Sequence, residues 1–135
     1  MTAFFSVLIE GDDIEDPVGD AMRSILDGHV MLSRDLARSH HYPAVDVLGS
    51  VSRLRSDAVA PQDIEAGARL MGWLKALEDN RDLINIGAYV AGSDQTLDQA
   101  LAKEEAIKGF LTQGVREGHS AADSMSGLRN LTGVL

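Results

Sequence analysis

The stretch Thr2-Ala3-Phe4-Phe5-Ser6-Val7-Leu8-Ile9, followed at once by Glu10-Gly11-Asp12-Asp13, decides the fold class. Two phenylalanines and three aliphatic residues run on without alternation, the pattern of a strand covered on both faces in a parallel sheet. Asp16 then offers an N-cap and Pro17 suits the first helical position. Val18, Met22 and Ile25 recur at helical spacing, which predicts a short helix closed by Gly28. His29 to Leu32 is a second apolar run, Ser33 caps a one- or two-turn helix through Arg38, and Val45 to Leu48 reads as a third, short strand. An apolar strand at the second residue has at most two downstream partners, too few for a parallel sheet with helices on both faces. The expectation is therefore that Met1 marks a truncation point, or a start codon inside an older reading frame. Residues 1–60 then read as the tail of a larger α/β domain.

From Pro61 the pattern changes to helical. Ile64, Ala68, Met71, Leu74 and Leu77, with Leu70 and Trp73 beside them, form a wide apolar stripe on a helix predicted to run to about Ile86. Asp94 caps a helix carrying Leu97 and Leu101, and Ile107, Phe110 and Leu111 mark another before Gly114. Ser120-Ala121-Ala122-Asp123 has the form of a capping box ahead of Met125, Leu128 and Leu131. Residues 61–135 thus read as an all-α bundle, and the segment from Ser56 to Pro61 is the boundary expected between the two parts.

Composition narrows the function. The chain has 135 residues, 44% of them hydrophobic, enough for a core in one domain or slightly more. With 21 acidic against 12 basic side chains its formal charge is -9, which opposes general binding to nucleic acid or anionic membrane. The absence of cysteine excludes a disulfide scaffold, thiolate catalysis and cysteine-based metal sites. No apolar run approaches the ~20 residues of a membrane span, and the first residues lack the basic region of a secretory signal.

The sequence has no G-x-x-x-x-G-K-T phosphate loop, G-x-G-x-x-G, H-E-x-x-H or G-x-S-x-G. The acidic run Glu10, Asp12, Asp13, Glu15 and Asp16 reads as a solvated, helix-capping loop or a cation site, but its spacing does not match a calcium loop. His40 and His41 are adjacent, so their side chains diverge, and no cysteine completes a metal set with them. Tyr42, set by the following Pro43, is either a packed ring or a platform for a flat ligand. Arg53, in Gly49-Ser50-Val51-Ser52-Arg53, is either a surface salt-bridge partner or a fork that binds phosphate oxygens across a subunit interface.

Several ordered motifs carry a family resemblance. Val7-Leu8-Ile9-Glu10-Gly11-Asp12-Asp13, Asp16-Pro17, Ile25-Leu26-Asp27-Gly28-His29, Leu32-Ser33-Arg34, His41-Tyr42-Pro43-Ala44-Val45-Asp46-Val47-Leu48 and Ser50-Val51-Ser52-Arg53 resemble the C-terminal third of flagellar export ATPases. That family is related to rotary ATP synthase catalytic subunits and to virulence-type secretion ATPases. The likeness continues through Leu83-Ile84-Asn85-Ile86-Gly87-Ala88-Tyr89, Gly92-Ser93-Asp94 and Phe110-Leu111, and Gly87-Ala88-Tyr89 with Gly92-Ser93-Asp94 carries the choice of the flagellar branch.

The resemblance implies an α/β tail of a RecA-like P-loop NTPase domain followed by an all-α C-terminal bundle. Tyr42 is similar to the tyrosine that stacks on the adenine of ATP, and Val115, after Gln113-Gly114, falls at the second wall of that pocket. Arg53 resembles the arginine finger that reaches the γ-phosphate held by the neighbouring subunit. The family's phosphate loop, Mg2+ ligands and general base precede this region, so the chain alone is expected to be inactive. The implied assembly is a cytoplasmic homo-hexamer at the base of the flagellar export apparatus. Its coiled-coil stalk partner would be met by the Asp12, Asp13 and Asp16 loop and by the Gly87 to Ala100 region, with export chaperones as further partners. The alternatives are a virulence-type secretion ATPase, a rotary ATP synthase subunit, or a short non-catalytic protein that binds stalk or chaperone partners.

Overall fold

The computed structural model describes residues 3–8 and 16–134. Residues 3–8 have no regular structure, and Phe4 and Leu8 are 95% and 97% exposed. Over the described residues 3–8 this corrects the strand expected from Thr2 to Ile9: a strand is held by its neighbours' hydrogen bonds, and the sheet among the described residues consists of two later strands that do not pair with this segment.

Helix α1 (Pro17–Ile25) starts where Asp16 Oδ2 accepts from the Gly19 N–H at 2.8 Å. It ends before Gly28, the expected cap. Gly28 instead opens strand β1 (Gly28–Leu32), where a Cβ would lie 2.7 Å from the Val51 carbonyl oxygen. Strand β1 pairs with β2 (Val45–Ser52), Gly28 opposite Ser52 and Leu32 opposite Val45, and between them runs α2 (Arg34–Arg38), capped by Ser33. The two-stranded sheet is antiparallel, which corrects the parallel arrangement expected from the apolar runs. Strand β2 also continues beyond Leu48 because its second half finds Gly28 and His29 as partners. Between Asp46 and Val51 it bulges: the Gly49 N–H donates to Asp46 Oδ1 at 2.9 Å and the Met31 N–H to Ser50 Oγ at 3.0 Å.

After the single turn α3 (Arg55–Ala58) comes α4 (Pro61–Asp79), with proline in its first turn. The predicted helix to Ile86 is broken at Asn80, whose Nδ2 donates to the Ala76 carbonyl at 2.9 Å, and α5 (Arg81–Asn85) follows. Helix α6 (Gln95–Ala102) is capped by Asp94, and α7 (Glu104–Leu111) precedes α8 (Ala121–Thr132) with its capping box. Leu70 and Trp73 of α4, Ala100 of α6 and Ile107 of α7 make the core, flanked by Leu74, Leu77, Leu111, Leu128 and Leu131. The C-terminal end of α8 is tied down from three sides. Arg69 Nη1 donates to the Thr132 carbonyl at 2.9 Å, Lys103 Nζ to the Leu131 carbonyl, and Arg129 pairs with the mostly buried Asp63.

Candidate functional site

Tyr42 leaves α2 through His40, which is in the left-handed region at φ 58°, and a His41 N–H bonded to the Leu36 carbonyl at 2.9 Å. The Tyr42-Pro43 peptide is cis, the tyrosine is half exposed, and its carbonyl accepts from the Gln113 N–H at 2.9 Å. That bond joins the start of β2 to the loop after α7. In this loop the Gly114 N–H donates to Glu117 Oε2 at 2.9 Å, which with the His119 bond holds the Glu117 carboxyl below its ordinary range. Val115 stands fully exposed beside them. The structure thus brings the Tyr42 backbone against the loop that carries Gln113 and, two residues on, the exposed Val115.

Arg53 lies at the other end of the sheet. Its N–H donates to the Asp27 carbonyl at 2.8 Å, and its exposed guanidinium makes only long bonds, 3.3 Å to the Arg23 carbonyl and 3.5 Å to that of Ser24. No carboxylate among the described residues pairs with it. The pairs that flank Tyr42 and Arg53 stand at the two ends of β1, four residue steps or about 13 Å of strand apart, so one chain does not bring the two side chains together.

Asp12 and Asp13 lie outside the described residues, while Asp16 caps α1. In the Gly87 to Ala100 region, Asp98 holds the loop with both oxygens. Tyr89 Oη donates to Oδ1 at 2.8 Å and the Gly92 N–H to Oδ2 at 2.9 Å. Desolvation, then this bond, raises the Tyr89 phenol above its usual range, and Ile86 and Val90 face solvent, 75% and 70% exposed. Among the described residues no group of three or more histidines and carboxylates is placed to hold a metal ion.

Two features escaped the sequence reading. A groove of about 370 Å3 runs between sheet and helices, lined by Leu36, His41, Val47, Leu77, Ile84 and Leu111. Arg55, two residues after Arg53, clasps α4: Nη2 donates to the Ile64 carbonyl at 2.7 Å and Nη1 to Met71 Sδ at 3.6 Å. Neither has a local motif; both depend on where α4 packs.

The family model for the ATP synthase alpha/beta family, nucleotide-binding domain, matches residues 1–52, and that for the T3SS EscN ATPase C-terminal domain matches residues 59–130. This chain belongs to the T3SS EscN ATPase C-terminal domain family. It is 44% identical to the flagellum-specific ATP synthase of Treponema pallidum (strain Nichols) over 99% of its own length and 30% of that protein. It is 42% identical to the type 3 secretion system ATPase of Pseudomonas syringae pv. tomato over 100% of its length and, again, 30% of the relative. The chain therefore spans under a third of the curated relatives it matches. Among solved structures, the assembled ATPase EscN of enteropathogenic E. coli superposes with a TM-score of 0.89 at 34% identity, over 93% of this chain and 31% of that one. EscN in complex with its central stalk EscO gives 0.82 at 33% identity, over 86% and 29%. Within the family frame the chain has the expected α/β start followed by a helical C-terminal region.

Proposed function

We propose that this chain is the C-terminal part of an ATPase that works as a hexameric ring and couples ATP hydrolysis to type III protein export of the flagellar kind. Residues 1–60 complete a RecA-like nucleotide domain and residues 61–135 form the helical domain that meets the stalk. Tyr42 stacks on adenine with Val115 at the second wall, and Arg53 reaches the γ-phosphate of ATP bound to the neighbouring subunit. No G-x-x-x-x-G-K-T phosphate loop is among these 135 residues, and the family's Mg2+ ligands precede the region that matches, so the chain by itself carries half an adenine pocket and is expected to be inactive.

The observation that carries the reading is the state of Arg53. A guanidinium that no carboxylate among the described residues neutralises, at the exposed end of a strand and on long bonds to two carbonyls, is free to exchange those bonds for phosphate oxygens. Its separation from Tyr42 by the length of the sheet supports action in trans. Charge supplied in this way accelerates phosphoryl transfer by roughly 10³ to 10⁵ in other enzymes. The loop held by Asp98 supports a stalk contact, because a fixed loop presenting Ile86 and Val90 loses little freedom on docking. This protein would then work in the cytoplasm at the export apparatus.

A second reading, a virulence-type secretion ATPase, is favoured by the 42% identity to the Pseudomonas syringae protein over the full chain. The chemistry at Arg53 is the same in both. In the full-length assembly Arg53→Ala is expected to abolish nearly all turnover while nucleotide affinity stays close to wild type. An equal loss of ATP binding would show that Arg53 contacts the ground state instead.

A further inference from the structure

The segment from β2 to α4 contains two arginines with opposite attachments. Arg53 leans on the end of α1 and faces outward. Arg55, with only Leu54 between them, is half-buried and turned the other way, onto α4. Its fork meets a matched seat: the Ile64 carbonyl at 2.7 Å, the Met71 sulfur at 3.6 Å, and Gly67, where an added Cβ would lie 3.5 Å from Nη2 and 3.7 Å from Cζ. A larger side chain at position 67 would occupy the space the guanidinium uses. No carboxylate among the described residues pairs with Arg55, so this contact is directional hydrogen bonding to a helix, not a surface ion pair.

The backbone around it is equally constrained. The Arg53 N–H is bonded to Asp27, the Asp57 and Ala58 N–H groups to the Leu54 carbonyl, and the Val59 N–H to the Arg55 carbonyl. Between Arg53, tied by its N–H to the α1–β1 connection, and Arg55, tied by its side chain to α4, stands one residue, Leu54, at φ -92° and ψ 8°. A shift of α4 is therefore passed to Arg53 through one residue.

We infer that Arg55 is a positioning residue: its clasp on Ile64, Gly67 and Met71 of α4 sets the place of Arg53 and makes the reach of that finger depend on the position of the helical domain. This rests on the reading of Arg53 as the arginine finger. Reacting groups displaced by about 1 Å lose roughly 10²-fold in rate, so loosening the clasp lowers kcat and leaves ground-state binding alone.

The test is steady-state ATP hydrolysis by the full-length hexamer carrying Arg55→Met, Arg55→Lys, Gly67→Leu, Arg53→Ala, and Arg53→Ala with Arg55→Met, each checked for thermal unfolding and ring assembly. Arg55→Met and Gly67→Leu are expected to lower kcat roughly 10- to 100-fold with KM unchanged. Gly67→Leu keeps the arginine and evicts it from its seat, so it separates geometry from charge. Arg55→Lys, which still reaches the Ile64 carbonyl, restores most of the rate. Adding Arg55→Met to Arg53→Ala changes nothing further, because the one acts through the other. A full additional loss in that double variant, or wild-type kcat in both Arg55→Met and Gly67→Leu, overturns the inference while the finger stands. Wild-type turnover by Arg53→Ala instead sinks the finger itself.

Discussion

Replacing Lys103 by methionine should weaken the helical half more than an ordinary surface change. Lys103 sits at the junction of α6 and α7, its Nζ 5.1 Å from the centroid of the Trp73 ring and bonded to the Leu131 carbonyl in the last turn of α8. The cation over the ring contributes about 0.5–1 kcal/mol. The charged bond to a carbonyl near a helix C-terminus adds about 1–1.5 kcal/mol, a value that already includes the dipole interaction. Methionine keeps most of the apolar stem packing, so the expected loss is about 2 kcal/mol. With a urea slope of about 2 kcal/mol/M the denaturation midpoint falls by about 1 M. Trp73 is the one tryptophan of the chain and is buried, so its fluorescence reports the transition from inside the affected core. Lys103→Arg should recover at least half of the loss. An unchanged midpoint for Lys103→Met at equal slope would refute the assignment of Lys103 as the tie between Trp73 and α8.

Tyr42→Ala in the full-length assembly should raise the nucleotide dissociation constant by roughly 5- to 150-fold, the range of one base–aromatic stack, while Tyr42→Phe stays near wild type in equilibrium nucleotide binding. Gly67→Ala should stabilise the chain by about 0.5–1 kcal/mol in the Trp73 denaturation assay, since the added methyl meets Arg55 at ordinary contact distance in the middle of a helix. The Asp123 carboxyl is held below its ordinary value by the Ser120 hydroxyl and then the Ser120 N–H. Its folded pKa is depressed, so the stability it adds is present above the unfolded carboxyl value and is lost as pH falls through the folded one. Far-UV circular dichroism of Asp123→Asn should therefore show a flatter acid profile than wild type, and identical profiles would remove the capping box as its cause.

What was legible in the sequence is what is decided locally. Asp16, Ser33, Asp94 and Ser120 cap helices as expected because a cap needs only the next three residues. Strands depend on partners, and here local reading failed in both directions. Phe4 and Leu8 are exposed despite an apolar run, whereas Gly49 to Ser52 extends a strand despite its small and polar residues. The antiparallel pairing sets Gly28 opposite Ser52 and close against the Val51 carbonyl, a contact between distant residues that no periodicity reveals. Among candidate site residues, Arg53 and Tyr42 stand out from their local turns with two readings each, and only motif resemblance gives them specific roles. The bond from Gln113 to Tyr42 and the clasp of Arg55 on α4 join distant or separately folded segments and became visible only in three dimensions.

The central claim is that Arg53 serves ATP held by the neighbouring subunit, and mixing two inactive proteins tests it most directly. Full-length Arg53→Ala subunits are combined with subunits that keep Arg53 but lack the phosphate-loop lysine, and ATP turnover of the reassembled rings is measured. The account predicts that activity returns, because interfaces form in which an intact pocket receives an intact arginine from next door. Mixed rings as inactive as either parent would contradict it and place the arginine's action within its own subunit or away from catalysis.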